Sequence, residues 1–287
     1  MGAIFRKELR GYFTGITGYI LTAIMLFMIG YYTVSYCFSY HYAVFEYVYA
    51  SAVLVLLFFV PVITMRLFAE EKKQKTDRLL YSLPLKMSDI VLGKYFAALC
   101  VLALPCAVSA IYPLLLHSYG NFNFRLIYAT LACFFLLGAA LTAICMFISL
   151  LTENQIAAAI ISFVILLLNH FLNNILGVVP ASVTAYTIIT VVAIAIIGLL
   201  VWLVTKNGIL ADIVSIILLA ALIAVRIIKP TIIEKVAGGI LDKILLFDVF
   251  YIMVDGMLEL STVVLYLSVV VLFTFMSIQV LERRRWA

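Results

Sequence analysis

Runs of about 20 apolar residues, separated by short polar stretches, recur along this chain and leave few folds open to it. A helix must be about that long to cross the hydrocarbon of a bilayer, and such runs fall near residues 18–38, 48–67, 95–116, 126–151, 156–175, 184–204, 209–228 and 261–281. Of the 287 residues, 67% are hydrophobic and 11% are charged, whereas a soluble domain carries about 25% charged residues. Strand-length alternation is missing, so helices rather than a closed barrel must satisfy the backbone in lipid. The expected fold is an all-α integral membrane protein, a polytopic bundle of about eight transmembrane helices forming one domain over residues 1–287. The pair at 184–228 turns on Lys206-Asn207-Gly208; as a re-entrant hairpin it would leave six full spans.

Charge sets the orientation. With eight spans, Arg6, Lys7, Arg10, Arg66, Lys72, Lys73, Lys75, Arg78, Lys86, Lys94, Lys206 and Arg283 to Arg285 fall on one side. Only Arg125, Arg226, Lys229, Lys235 and Lys243 fall on the other. Basic residues concentrate in the cytoplasm, so the expectation is a multi-pass protein of the cell membrane with both termini cytoplasmic. Residues 1–17 form an amphipathic interfacial helix, with Ile4, Phe5, Leu9, Tyr12 and Phe13 opposite Arg6, Lys7 and Arg10. Residues 229–260 mix apolar residues with a charge every few positions and form an extracytoplasmic amphipathic segment, split near Gly238 and Gly239. It caps the bundle or acts as a lid.

Residue chemistry argues against an enzyme. Ionisable residues inside spans are costly and persist mainly where they work, and this chain has nearly none there; Asp212 and Arg226 each lie within a turn of a surface. The histidines are His41, His117 and His170, and no His-x-x-x-His or His-Glu-x-x-His is present to hold a metal. The paired Glu70-Glu71 is similar to that of CAAX-type membrane proteases, but the Arg and histidines that accompany it there are missing. Cys37, Cys100, Cys106, Cys133 and Cys145 are scattered singly and read as small apolar side chains. Gly93-Lys94 is no phosphate loop, since Ser88 and Tyr95 stand where that loop needs Gly and Ser or Thr. No catalytic, cofactor or metal residue is expected on the chain, so any ATP it runs on binds elsewhere. One polar cluster remains, Asn169, His170, Asn173 and Asn174, which shares a helix face. It lines a substrate path or binds headgroups, or it is a hydrated helix end.

Seven charges lie between Glu70 and Arg78. Each would cost about 2.5 to 3.5 kcal/mol at the bilayer centre, so residues 68–93 form a cytoplasmic segment. Steps of about 100° per residue place Leu79, Leu80 and Leu83 in one apolar stripe, on a short helix with Thr76 as N-cap, Asp77 in its first turn and Pro84 at its end. An amphipathic helix displayed between two spans suits a groove on a partner protein.

The stretch "MRLFAEEKKQKTDRLLYSLPLKMSDIVLGKYFAAL", residues 65–99, resembles the coupling-helix region of ABC transporter permeases of the type-2 exporter class. Glu71, Thr76, Leu79, Leu80, Pro84, Gly93 and Lys94 match that pattern. Lys75 replaces its usual Gly, and Arg78 its usual acidic residue. The ending, "FDVFYIMVDGMLELSTVVLYLS" and then "LERRRWA", resembles the gliding-motility and copper-site-assembly permeases. The resemblance implies a permease subunit without its own ATP site, paired with a second copy or a paralogue. Separate cytoplasmic ABC ATPase subunits would bind ATP and Mg and meet the coupling residues Glu71, Thr76, Leu79, Leu80, Leu83 and Pro84. Such permeases normally have six spans, so the pair at 184–228 is a departure. Few fixed charges and many aromatics suit an amphiphilic or hydrophobic substrate. The alternative is a membrane scaffold or sensor that recruits a cytoplasmic partner without transport.

Overall fold

The computed structural model describes residues 1–39, 44–76, 86–117, 122–178, 245–257 and 259–286, with a few isolated positions between 191 and 222. Among the described residues the structure is helical throughout, with no strand. Two units are distinguished, Met1–Leu168 with Val249–Ala287, and Asn169–Asp248.

The first helix, α1 (Gly2–Thr14), precedes α2 (Thr17–Thr33), which runs on as a π-helical turn over Val34–Ser39. Then come α3 (Glu46–Thr64), the short α4 (Ala69–Lys73) and α5 (Met87–Ser109). The series continues with α6 (Tyr112–Leu116), α7 (Phe124–Leu151), α8 (Gln155–Val178), α9 (Leu246–Val254) and α10 (Leu260–Trp286). Asn123 and Asn154 start α7 and α8 by accepting from the N–H groups of Leu126 and Ile156, which satisfies donors that the first turn leaves open.

Six stretches among the described residues are long and apolar enough to cross a membrane: Thr17–Phe38, Glu46–Lys73, Met87–Leu116, Phe124–Leu151, Gln155–Leu172 and Leu260–Arg284. They correspond to six of the eight apolar runs. The runs at 184–204 and 209–228, and residues 229–244, lie almost wholly outside the described residues. In the most apolar windows of α3 and α7, 67% and 72% of residues are buried, against 17% for both α2 and α8 and 22% for α10. Thus α3 and α7 are the centre of the bundle.

Close approach and aromatic rings hold that centre. Gly138 of α7 faces Leu102 of α5, and a Cβ there would come within 2.5 Å of Leu102 Cδ2. Beside it the Tyr95 hydroxyl donates to Ala139 O at 3.0 Å. The small residues Gly138 to Ala140, Thr142 and Ala143 are buried, as expected of a stretch where backbones come close. Phe134 of α7 meets Tyr49 of α3 at 5.7 Å and Phe250 of α9 at 6.1 Å between ring centroids. The end of α9 is therefore packed into the core, with Phe250 fully buried.

The helix that carries the third apolar run starts before it. It begins at Met87 rather than near 95, with Met87, Ile90, Val91, Gly93 and Lys94 all buried. Hydropathy treats Lys94 as a boundary, but its charge is neutralised within the fold, so the helix carries it inside.

Candidate functional site

Five residues make up α4, Ala-Glu-Glu-Lys-Lys, with Glu70 and Glu71 in the first turn and Lys72 and Lys73 in the last. That order opposes the helix dipole at both ends and favours a helix too short to be stable alone. Neighbouring helices supply the rest of its stability.

Toward α7, Ser149 is the anchor. Its buried hydroxyl accepts from the backbone N–H groups of Phe68 and Ala69, both at 3.3 Å, and donates to Met65 O at 3.2 Å. The Lys72 ammonium donates to Leu150 O and, at 3.5 Å, to Thr152 O. A cation thus sits on the last carbonyls of α7, where the helix dipole is negative.

On its other side, α4 closes a ring of alternating charges. Lys94 of α5 contacts Glu71 at 3.0 Å and Glu8 of α1 at 2.9 Å, while Lys7 of α1 contacts Glu71 at 3.0 Å and Glu8 at 3.8 Å. The Lys94 side chain is 1% exposed and those of Glu71 and Glu8 are 14% and 17% exposed. Lys94 also donates to Leu67 O and lies 5.1 Å from the Phe68 ring centroid. Two cations face two anions, so the ring is formally neutral, which a cation this deeply buried requires. Lys7 is the open corner, 64% exposed. Burial works against its charge, but the Glu71 carboxylate and then Glu8 outweigh that and hold it above the ordinary lysine range.

Packing explains why Gly precedes Lys94. A Cβ at Gly93 would lie 3.1 Å from Ile4 Cγ2 and 3.3 Å from Met1 O. Glycine lets α1 settle on α5, and Lys94, the next residue, fastens it there. Farther along α1, the Tyr12 hydroxyl donates to Ile63 O at 2.7 Å, and burial pushes its phenol above the ordinary tyrosine range. Arg66 joins Glu70 at 3.1 Å and donates to Thr17 Oγ1 at 3.0 Å. The apolar side of α1 is thus engaged by protein, with Ile4 and Tyr12 buried.

The exit from α4 is a Schellman turn. Thr76 N–H donates to Glu71 O at 2.9 Å and Lys75 N–H to Lys72 O at 3.0 Å. Between them Lys75 has φ of 56°, the left-handed conformation this motif demands. The position where the resembling permeases have Gly is therefore one at which Gly is sterically preferred.

Of the expected coupling residues, Glu71 lies in the charge ring and Thr76 closes the α4 turn, its hydroxyl also donating to Glu71 O at 3.2 Å. Leu79, Leu80, Leu83 and Pro84 lie outside the described residues, as does Arg78. Asn169 and His170 are on α8, and the His170 ring stands edge-on 5.0 Å from both Phe171 and Phe247. Asn173 and Asn174 continue α8, but their side chains are outside what is described. Sequence reasoning missed Lys7, Glu8, Lys72 and Ser149 as parts of one junction. A hint was available, since Glu8 is the one acidic residue among the basic ones of α1.

Among the described residues no group of His, Cys, Asp and Glu is arranged to hold a metal ion. The junction ties α4 to α1, α5 and α7. Residues 29–182 match the family model described as ABC-2 family transporter protein. The chain belongs to the ABC-2 transporter family. It is a transmembrane permease component of an ABC transporter and, as such, a transport component that is not itself catalytic. No curated protein and no solved structure matches it. The ABC-2 match runs from within α2 to just past α8 and includes α4, α5 and α7. Two corners of the charge ring, Glu71 and Lys94, lie inside it. The other two, Lys7 and Glu8, come from a helix that precedes it.

Proposed function

We propose that this permease couples ATP hydrolysis by separate cytoplasmic ABC ATPase subunits to outward movement of an amphiphilic or hydrophobic substrate. The observation that carries the reading is the position of α4. It immediately precedes the segment with Leu79, Leu80, Leu83 and Pro84 and is bonded at once to α1, α5 and α7. A displacement delivered to that segment by an ATPase would reach three helices through one short element, and two-state rearrangement of packed helices is how such a displacement opens a path.

In this reading both termini are cytoplasmic and two permease chains, identical or paralogous, form the pathway. The gliding-motility and copper-site-assembly permeases are the subgroup it belongs with, and residues 184–228 add two spans to the six. ATP and Mg bind the ATPase alone. Asn169, His170, Asn173 and Asn174 belong to the substrate path. The few fixed charges within the spans favour a hydrophobic cargo.

The test is co-expression with candidate P-loop ATPases. The permease should copurify with one and confer vanadate-sensitive ATP hydrolysis that responds to substrate. Leu80→Asp should leave the permease in the membrane but weaken ATPase association and abolish substrate stimulation. Unchanged association and stimulation in that variant would refute the docking role. A chain that recruits a cytoplasmic protein without any ATPase activity would be a scaffold instead.

A further inference from the structure

Carboxylates near the two ends of α3 are treated differently. Around the charge ring each is paired with a cation, Glu8 and Glu71 with Lys94 and Lys7, and Glu70 with Arg66. At the opposite end, where α3 begins, Glu46 is 8% exposed and has no such partner. Apart from its own backbone N–H in the first turn, no described residue donates to its carboxylate or forms an ion pair with it. Glu46 stands just ahead of the apolar run at 48–67, so hydropathy leaves it in a loop. The structure makes it the first residue of α3, inside a stretch long and apolar enough to cross a membrane. A buried carboxylate without a partner must take up a proton or be met by a cation from outside the chain.

The surroundings favour one kind of cation. The π-helical turn at Val34–Ser39 is fastened to α3 by a 3.0 Å hydrogen bond between the Tyr36 hydroxyl and Ser51 Oγ, and it brings Cys37 within electrostatic reach of Glu46. Such turns recur at functional sites. Next to Glu46, Tyr47 is exposed, and its hydroxyl donates to Asp255 Oδ1 at 3.4 Å. A second carboxylate is thus held at the same end of α3, and among the described residues it too lacks a basic partner. A metal ion fits poorly, since calcium takes about six to eight oxygens and no described group of three His, Cys, Asp or Glu is arranged to hold one. The remaining neighbours are apolar and aromatic. Phe45, Val48 and Tyr49 are fully buried, with the Phe45 and Tyr49 rings edge-on at 5.4 Å. One buried carboxylate among rings, with a second acid at the surface, suits an organic cation whose charge meets the carboxylate and whose apolar groups meet the rings.

We infer that Glu46, with Tyr47 and Asp255 beside it, forms a binding site for the positively charged group of a lipophilic organic cation. The inference rests on the reading of this chain as a permease for amphiphilic cargo, and it narrows that cargo to molecules carrying positive charge. In that reading the site lies at the extracytoplasmic end of α3.

The test uses the full chain in phosphatidylcholine nanodiscs, without any ATPase, and measures binding of tetraphenylphosphonium and of tetraphenylborate, which has nearly the same shape and the opposite charge. Wild type should bind the cation saturably above empty discs and should not bind the anion. Lowering the pH should release the cation as protons compete for Glu46. The titratable groups within reach of Glu46 are Cys37 and Tyr47, with Asp255 bonded to Tyr47, and of these only Asp255 titrates in the acid range. Glu46→Gln should weaken cation binding by about tenfold or more, because the buried counter-charge is gone. Asp255→Asn should weaken it by a smaller factor, because an exposed charge is screened. Glu46→Gln removes a buried charge, so its unfolding temperature should not fall, which separates lost binding from lost fold. A wild type that binds no cation, or binds both ions equally, overturns the proposal without recourse to any variant. Unchanged cation binding in Glu46→Gln also overturns it. If wild type binds neither ion but changes stability with pH in a way that Glu46→Gln abolishes, Glu46 is a proton site and the proposal fails. A chain that binds no cation yet couples to an ATPase overturns this site alone, whereas one that binds the cation and never recruits an ATPase overturns the transport reading and leaves the site standing.

Discussion

The α4 junction and the ring-lined centre of the bundle lie in the same unit, yet they are held by different physics. Phe134, Tyr49 and Phe250 fill space between α3, α7 and α9, and their contribution follows apolar area and fit. At α4 the attachments are directional: four charges in a ring, a hydroxyl shared by three backbone groups, and a lysine on a helix end. A packed core resists deformation, because its contacts degrade with small displacements. Hydrogen-bonded and ionic contacts can be exchanged for others as one element shifts over the next. The contrast separates apolar packing at the centre from directional attachment at α4.

Substitutions can break that comparison. The largest effect is expected at the centre. Phe134→Ala should destabilise by about 4 kcal/mol, since a buried ring is replaced by a cavity, and thermal unfolding in detergent should show a loss that NaCl does not change. Equal stability of this variant and wild type would mean that the rings are not what holds the centre.

Next comes Lys94→Met, which keeps the apolar stem but strands Glu8 and Glu71. Removing one partner of a buried ion pair costs about 3 kcal/mol, part of which neutralisation of the two glutamates should restore. The informative measurement is therefore the triple variant Glu8→Gln/Glu71→Gln/Lys94→Met, expected to be markedly more stable than Lys94→Met alone while still failing to transmit ATPase-driven changes. Full coupling in the triple variant would show that the ring fastens the helices without being needed for transmission.

The smallest effect has the opposite sign. Lys75→Gly relieves a left-handed conformation that costs a non-glycine residue about 1 kcal/mol, so it should raise the unfolding temperature slightly. Unfolding followed by circular dichroism would resolve this, and a fall in stability would mean that the lysine side chain has a role there which outweighs the strain.

Much of this could be read before any coordinates. Six of the apolar runs became helices of spanning length, because the need to satisfy every backbone group in lipid leaves a long apolar run little choice. The stretch at residues 65–99, with Glu71, Thr76, Leu79, Leu80, Pro84, Gly93 and Lys94, resembled the ABC transporter permeases, and the family model agrees. The third long helix starts earlier than its apolar run, at Met87. A hydropathy window sees Lys94 as a charge to be kept in water, whereas Glu8 and Glu71 neutralise it 86 and 23 residues away in the chain.

The boundary between the two kinds of knowledge follows from range. Sequence by itself determined the helical class and six apolar runs of spanning length, both of which depend on residues near one another along the chain. Only the tertiary structure decided that Lys7, Glu8, Glu71 and Lys94 form one ring, that Ser149 serves three backbone groups of the α3–α4 turn, and that Lys75 is left-handed. Ion pairs and shared hydroxyls act over about 3 Å and have no periodicity to betray them, so their partners become visible only when the helices that carry them are packed together.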